Sequence, residues 1–327
     1  MTSENTSMPQ VQLGQDGPMI GVQGLGCMGM SEFYGETDQA ESRLTLERAI
    51  ELGISMFDTA DMYGVGANEE FLAPFVAANR ERVIIATKFG YRRTPESPDD
   101  WSIDNRPDFI RAAVDRSLQR LGVEVIDLYY MHRRIDSVPL EESVGAMAEL
   151  VDAGKVKWLG LSAVSAPELR AAHAIHPIAA LQSEWSIFTR DIERDVVPAA
   201  AELGVTVVPY SPLGRGMLTS QAFATSLADT DARQQFPRFS AENRAANMRL
   251  VARIEDIASA RGVSAAQIAL AWLYAQSRKL KVKTVPIPGT RKRSRLQENV
   301  AAASMILTVP EMEALAPLAA AVEGINV

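Results

Sequence analysis

A chain of 327 residues, 47% hydrophobic and 23% charged, has the composition of an ordinary folded protein able to bury a large core. Its net charge of −8 and pI near 5.1 argue against nucleic acid and anionic membrane as partners, since both need a basic face. Cys27 is the only cysteine, so no internal disulfide can form and a cytoplasmic, reducing setting is expected.

The opening "MTSENTSMPQ" is polar and lacks the basic and apolar regions of a secretion signal, so residues 1–10 read as a disordered tail. No apolar run approaches the roughly 18 residues that a membrane span needs. Next, "VQLGQDGPMIGVQGLG" (11–26) reads as two short strands joined at Gln15, Asp16 and Gly17, where Asp-Gly supplies the positive φ of a tight hairpin. Short apolar runs then alternate with stretches of helical period. The runs are 54–58, 82–88, 126–132, 156–162, 178–185 and 205–211, with weaker candidates at 283–289 and 303–308. Near-continuous apolarity over so few residues marks strands buried on both faces, hence a parallel sheet. Helical stretches are read at 38–53, 106–122, 139–153, 191–203, 244–261 and 265–277.

Eight strands alternating with helices predict an α/β fold, a (β/α)8 TIM barrel, as one domain over 11–327 with an N-terminal β-hairpin and long loops at its C-terminal face. Those loops are 89–106 and 212–243. "GLGCMG" (24–29) matches G-x-G-x-x-G, but no helix opens directly after it and the acids at the right distance lie inside a helical pattern. The glycines read instead as a loop at one barrel rim.

Barrel enzymes keep their chemistry where the strands end. Here the strands end in, or carry, Asp58, Lys88, His132, Ser162, Gln182, and Tyr210 with Ser211. A lysine deep in the mouth must be paired, and Asp58 can pair with it. An ammonium beside Tyr63 would pull the phenol down from about 10 and make it a usable proton donor. His132 can bond the same oxygen. This set suits protonating a developing alkoxide, with hydride supplied by a cofactor.

The sequence resembles the aldo-keto reductases over about residues 11–320. The motifs are "FDTADMYG", "ATKFG", "DLYYMHR", "GLS", "LQSEWS", "YSPLGRGML" and "PIPGTRKRSRLQEN", and "GLGCMGMSEFYG" looks like the bacterial and plant monomeric branch. The resemblance places the catalytic tetrad on Asp58, Tyr63, Lys88 and His132, with Tyr63 as general acid. It implies that Ser162 and Gln182 hold a nicotinamide carboxamide, that Tyr210 stacks on the ring, and that Ser211, Leu213, Gly214 and Arg215 run along the pyrophosphate. Ala163 stands where family members often have Asn, which removes one grip on the carboxamide. The cations Arg291, Lys292, Arg293 and Arg295 gather at a helix start, as a 2′-phosphate site would need. By resemblance Thr290 and Arg295 take that phosphate and Glu298 and Asn299 meet the adenine, which favours NADPH/NADP+ over NADH.

Aromatic residues in loops and at strand ends, Tyr34, Phe89, Trp101, Trp185 and Phe188, are expected to rim a pocket for an apolar carbonyl substrate. No metal is expected: His173 and His176 lack a third ligand nearby in sequence. Cys27 has no obvious activating partner. The expected function is NADPH-dependent reduction of aldehydes or ketones to alcohols by a monomer or weak homo-oligomer. An NADPH-sensing regulatory subunit, or a dehydrogenase acting on an alcohol or sugar, stays open.

Overall fold

The computed structural model describes residues 8–35, 37–219 and 231–325. Two strands, β1 (Gln10–Gln12) and β2 (Met19–Gly21), form an antiparallel hairpin. Seven more form one parallel sheet in chain order: β3 (Leu25–Gly26), β4 (Met56–Asp58), β5 (Ile84–Phe89), β6 (Ile126–Met131), β7 (Val156–Ser162), β8 (Ile178–Glu184) and β9 (Thr206–Tyr210). Residues 283–287 fill the eighth place. Val285 and Ile287 donate N–H bonds to Val207 and Pro209 of β9, and the Pro286 carbonyl accepts from Gly24 just before β3. Towards β9 the segment makes a bridge, Thr284 with Val207, because Pro209 has no N–H to continue the ladder, and prolines 286 and 288 have none to give to β3.

Two expectations about the strands are corrected. The segment 303–308 is no strand: a 3-10 turn, Ala302–Ser304, leads into extended residues that cap a helix. The missing barrel strand is β3, only two residues long and half glycine, inside the stretch read as hairpin and rim loop. The hairpin turn also differs, because Gly14 and not Gly17 carries the positive φ. Gly17 is needed for room, since a Cβ there would lie 2.2 Å from the Leu13 carbonyl oxygen. Order begins before residue 11, with Met8 buried and Gln10 opening β1; residues 1–7 of the expected tail lie outside the described residues.

Ten α-helices are described: α1 (Gln39–Glu51), α2 (Ala67–Ala78), α3 (Pro107–Leu121), α4 (Leu140–Asp152), α5 (Ala166–Ile175), α6 (Val196–Glu202), α7 (Ala241–Arg261), α8 (Ala265–Lys279), α9 (Arg293–Ala301) and α10 (Val309–Leu315). Sequence periodicity misses α2, whose pattern Pro74 interrupts, as well as α5 and α10. The last two are announced by capping boxes, Ser165 with Glu168 and Thr308 with Glu311. No described helix is long and apolar enough to cross a membrane.

Two apolar clusters follow from strand alternation. Outward side chains such as Phe57, Ile85, Tyr129 and Leu161 pack under the helices. Inward ones, Met56, Ala86, Leu128, Tyr130, Ala180, Val208 and Val285, fill the barrel, and Leu13 and Ile20 of the hairpin join them. Tyr130 needs the space that Gly160 leaves: a Cβ on Gly160 would lie 2.4 Å from the Tyr130 ring. The next inward position on each strand is a candidate site residue. Two residues beyond Met56, Ala86, Tyr130, Gly160, Ala180 and Val208 come Asp58, Lys88, His132, Ser162, Gln182 and Tyr210.

Candidate active site

Lys88 is the centre. Its ammonium has three protons and three acceptors: Asp58 Oδ1 at 2.5 Å, the Thr59 carbonyl at 2.7 Å and the Tyr63 hydroxyl at 3.3 Å. The other Asp58 oxygen accepts from Gln182 Nε2 at 2.7 Å. All four side chains are buried. Burial opposes charge on Lys88, but Asp58 and Tyr63 outweigh it and hold the ammonium above its usual value. Burial pushes the Asp58 carboxyl up, while Lys88 and Gln182, both donating to it, favour the carboxylate.

The expected fall in the Tyr63 pKa is not found. Burial pushes the phenol up, the pull of Lys88 only partly offsets it, and the Asp58 charge adds to the rise. Tyr63 therefore holds its proton at neutral pH. His132 goes the other way, held well below 6.5 by burial, then by Lys88 and Arg133, so its ring is neutral. The two rings meet edge to face with centroids 6.0 Å apart, and His132 Nδ1 is buried with no protein partner.

A sharp turn brings Tyr63 over the mouth. Gly64, Val65 and Gly66 all have positive φ, and for β-branched Val65 that conformation is strained. Glu32 and Arg93 hold the turn. The Gly64 N–H donates to Glu32 Oε2 at 2.8 Å, while Arg93 donates to Glu32 at 2.8 and 3.0 Å and to the Met62 carbonyl at 3.0 Å.

Five rings close a circle around this centre. Centroid distances are 6.4 Å for Phe33–Tyr63, 6.0 Å for Tyr63–His132, 5.2 Å for His132–Tyr91, 6.0 Å for Tyr91–Trp101 and 6.3 Å for Trp101–Phe33. Of the five aromatics expected at the rim, only Trp101 joins it, stacked under the Arg93 guanidinium at 4.2 Å. Phe89 and Trp185 are fully buried among the outward residues, because Lys88 and Glu184 before them take the inward positions. Phe188 is also buried in that shell. Tyr34 lies under Arg233, whose guanidinium carbon is 5.3 Å from its ring centroid. Phe33 and Tyr91 complete the circle with no periodic signal of their own, although Tyr91 is the first side chain past Gly90 at the end of the strand that carries Lys88.

The Ser162 hydroxyl accepts from Arg133 Nη1 at 3.1 Å, and the Arg133 guanidinium carbon lies 5.9 Å from the Tyr210 ring centroid. Ala163 and Ser211 have φ of +54° and +49°, a left-handed conformation that Asn and Gly adopt more readily. Arg215, also at positive φ, packs 4.3 Å over Phe236, and its carbonyl accepts from Arg233. Leu213 and Gly214 lie in the same turn, Leu213 accepting from the amides of Gly216 and Leu218. Residues 220–230 of the loop 212–243 lie outside the described residues.

At the start of α9, Thr290 accepts from the Lys292 amide at 3.1 Å and Arg293 pairs with Glu41 of α1. Arg291 bonds Thr37 and the carbonyls of Tyr34 and Gly35. Burial, then Arg295 and Arg233, pull Arg291 below its usual value, so these cations repel one another. Arg295 is exposed and has no ion pair among the described residues. Glu298 is half-buried and Asn299 buried on the same helix. A dianion fits this donor set and would relieve the repulsion. Cys27 is fully buried, and burial, then Asp58, push its thiol up. His173 and His176 bond backbone, the former accepting from the Ile178 N–H.

A parallel α/β barrel with a buried Asp-Lys-Tyr-His group at its strand ends is the setting of an oxidoreductase. The aldo/keto reductase family signature matches residues 24–319, and the chain belongs to that family. It is similar to a probable aldo-keto reductase of Glycine max, 41% identical over 92% of this chain and 86% of that one. It is 40% identical to an aldo-keto reductase of Schizosaccharomyces pombe whose name specifies NADP(+), over 92% and 88% of the two chains. Among solved structures, the glycerol dehydrogenase of Gluconobacter oxydans is similar with a TM-score of 0.83 and 28% identity, covering 96% of each chain. An aldo-keto reductase of Bacillus halodurans in its holo form gives 0.75 and 26%, covering 97% of this chain and 98% of that one.

Proposed function

We propose that the protein reduces aldehydes or ketones to alcohols with NADPH, Tyr63 acting as general acid. The observation that carries this is the single ammonium, Lys88, bonded at once to Asp58 and the Tyr63 hydroxyl inside a buried mouth. When bound, NADPH would supply the hydride that the carbonyl carbon needs. Tyr63 gives its proton to the carbonyl oxygen as that oxygen gains charge. Lys88, paired with Asp58, stabilises the phenolate left behind, and neutral His132 donates a hydrogen bond that orients the carbonyl. The circle of Phe33, Tyr91 and Trp101 with the two catalytic rings favours an apolar or aromatic substrate.

Thr290 and Arg295 are assigned to the 2′-phosphate, Glu298 and Asn299 to the adenine, and Leu213, Gly214, Arg215 and Ser211 to the pyrophosphate. Ser162, Gln182 and Tyr210 take the nicotinamide. Gln182 also donates to Asp58, which leaves its oxygen for the carboxamide. The preference for NADPH is supported by the cation cluster and by the printed name of the yeast relative. Run in reverse, the same groups would oxidise an alcohol, a reading favoured by the glycerol dehydrogenase neighbour.

NADPH oxidation at 340 nm across aldehydes, ketones and dicarbonyls, with wild type and Tyr63→Phe, tests the proposal. The variant should bind NADPH normally and turn over about 10²- to 10⁴-fold more slowly. Equal rates would remove Tyr63 from the chemistry.

A further inference from the structure

Arg133 closes the motif "DLYYMHR" with no role assigned to it so far, and no carboxylate neutralises it: it forms no ion pair among the described residues. It follows His132 at the end of β6 and is half-buried. Its Nη1 donates to the His132 carbonyl at 2.8 Å and to Ser162 Oγ at 3.1 Å, and its guanidinium carbon is 5.9 Å from the Tyr210 ring centroid. It thus stands between the hydroxyl and the aromatic ring assigned to the nicotinamide. Ala163, next to that hydroxyl, brings only a methyl group and holds a left-handed backbone, φ +54°. A side-chain amide would suit the position by conformation and by hydrogen bonding, and the chain has none there.

We propose that Arg133, with Ser162, grips the nicotinamide carboxamide through its guanidinium, doing from β6 what an amide side chain at 163 would otherwise do. The inference rests on the reading of this mouth as a nicotinamide site. Nη1 is already committed to two acceptors, so the fork is oriented, and the remaining N–H groups are free of carboxylate competition. A planar fork of donors suits an amide oxygen better than a lysine would. The charge has a second effect. The nicotinamide ring is neutral when reduced and cationic when oxidised, so an uncompensated guanidinium beside it favours binding of NADPH over NADP+.

Fluorescence titrations of wild type, Arg133→Ala and Arg133→Lys test this with three probes: NADPH, NADP+ and adenosine 2′,5′-bisphosphate. The last carries the 2′-phosphate and lacks the nicotinamide. Arg133→Ala should weaken NADPH roughly tenfold or more, the scale of a lost charged hydrogen bond, and leave the bisphosphate unchanged. It should also lower the ratio of NADP+ to NADPH dissociation constants several-fold, whereas Arg133→Lys, which keeps the charge, should preserve that ratio. Equal weakening of all three probes would show general distortion and overturn the assignment. Unchanged NADPH binding with a raised KM for carboxylate-bearing carbonyls would also overturn it, assigning Arg133 to substrate instead. If wild type binds the bisphosphate but neither dinucleotide, the nicotinamide reading itself falls, and this inference with it.

Discussion

Lys88 Nζ lies 2.5 Å from Asp58 Oδ1 with both side chains sealed from solvent, so neither charge has a water to fall back on. Removing one partner of such a pair strands the other, at a typical cost of about 3–5 kcal/mol. Asp58→Asn should lower stability by that order in urea unfolding. Replacing both, Asp58→Leu with Lys88→Met, should recover most of the loss while leaving turnover abolished. If the double variant is no more stable than Asp58→Asn, the pair is not the source of the loss.

His132 links the site to acid stability. Its folded-state pKa is depressed by burial, Lys88 and Arg133 below the ordinary 6.5. The unfolded chain therefore binds a proton that the folded chain refuses, and the stability so contributed is full above pH 6.5 and lost as pH falls towards the folded value. The slope from one group reaches at most about 1.4 kcal/mol per pH unit. Urea midpoints taken at neutral pH and near pH 5 should drop less for His132→Asn than for wild type. Parallel curves would count against the buried neutral imidazole.

The inner half of this site was readable from the chain because strand parity is strict. An apolar inward residue fixes the next inward residue two places on, so Met56, Ala86 and Tyr130 point to Asp58, Lys88 and His132. The same parity, applied one residue further, excludes Phe89, the neighbour of inward Lys88, from the mouth. What periodicity could not supply was the path of the loops. Phe33 reaches Tyr63 through a positive φ and Tyr91 reaches His132 by a bridge to Ile103, both set by long-range backbone pairing. The two-residue β3 and the proline-broken eighth edge are too short to carry a pattern.

Gly160 tests the packing directly. With the Tyr130 ring 2.4 Å from any added Cβ, Gly160→Ala must push an aromatic inside a filled barrel. Overpacking of this kind costs about 1–3 kcal/mol, so thermal unfolding should shift down by several degrees. An unchanged midpoint would mean that the barrel interior has slack.

Ala163 and Arg133 should behave as alternatives. Ala163→Asn places a residue tolerant of positive φ where alanine is strained, and adds an amide beside Ser162. In the Arg133→Ala background it should restore part of the lost NADPH affinity, more than it adds to wild type. Equal effects in both backgrounds would show that the two side chains do not serve one ligand group.

The turn that presents Tyr63 depends on one ion pair that reaches both of its flanks. Arg93, whose side chain is 6% exposed, bonds the Met62 carbonyl, and its partner Glu32 accepts the Gly64 N–H, so the peptide groups on either side of Tyr63 are held by the same two side chains. Arg93 also carries Trp101 and bonds the Pro98 carbonyl, tying the loop over the mouth to the same point. Loss of this clamp would leave the phenol present but loosely placed, and misplacement by about 1 Å can cost 10²-fold in rate. Arg93→Met keeps the apolar stem and loses every bond, so it should lower kcat by about 10- to 100-fold with NADPH affinity nearly unchanged. Glu32→Gln still accepts the Gly64 N–H through its carbonyl oxygen and should lose less. Steady-state rates at saturating NADPH rank the two, and an Arg93→Met enzyme as fast as wild type would show that Val65 and its flanking glycines hold Tyr63 unaided.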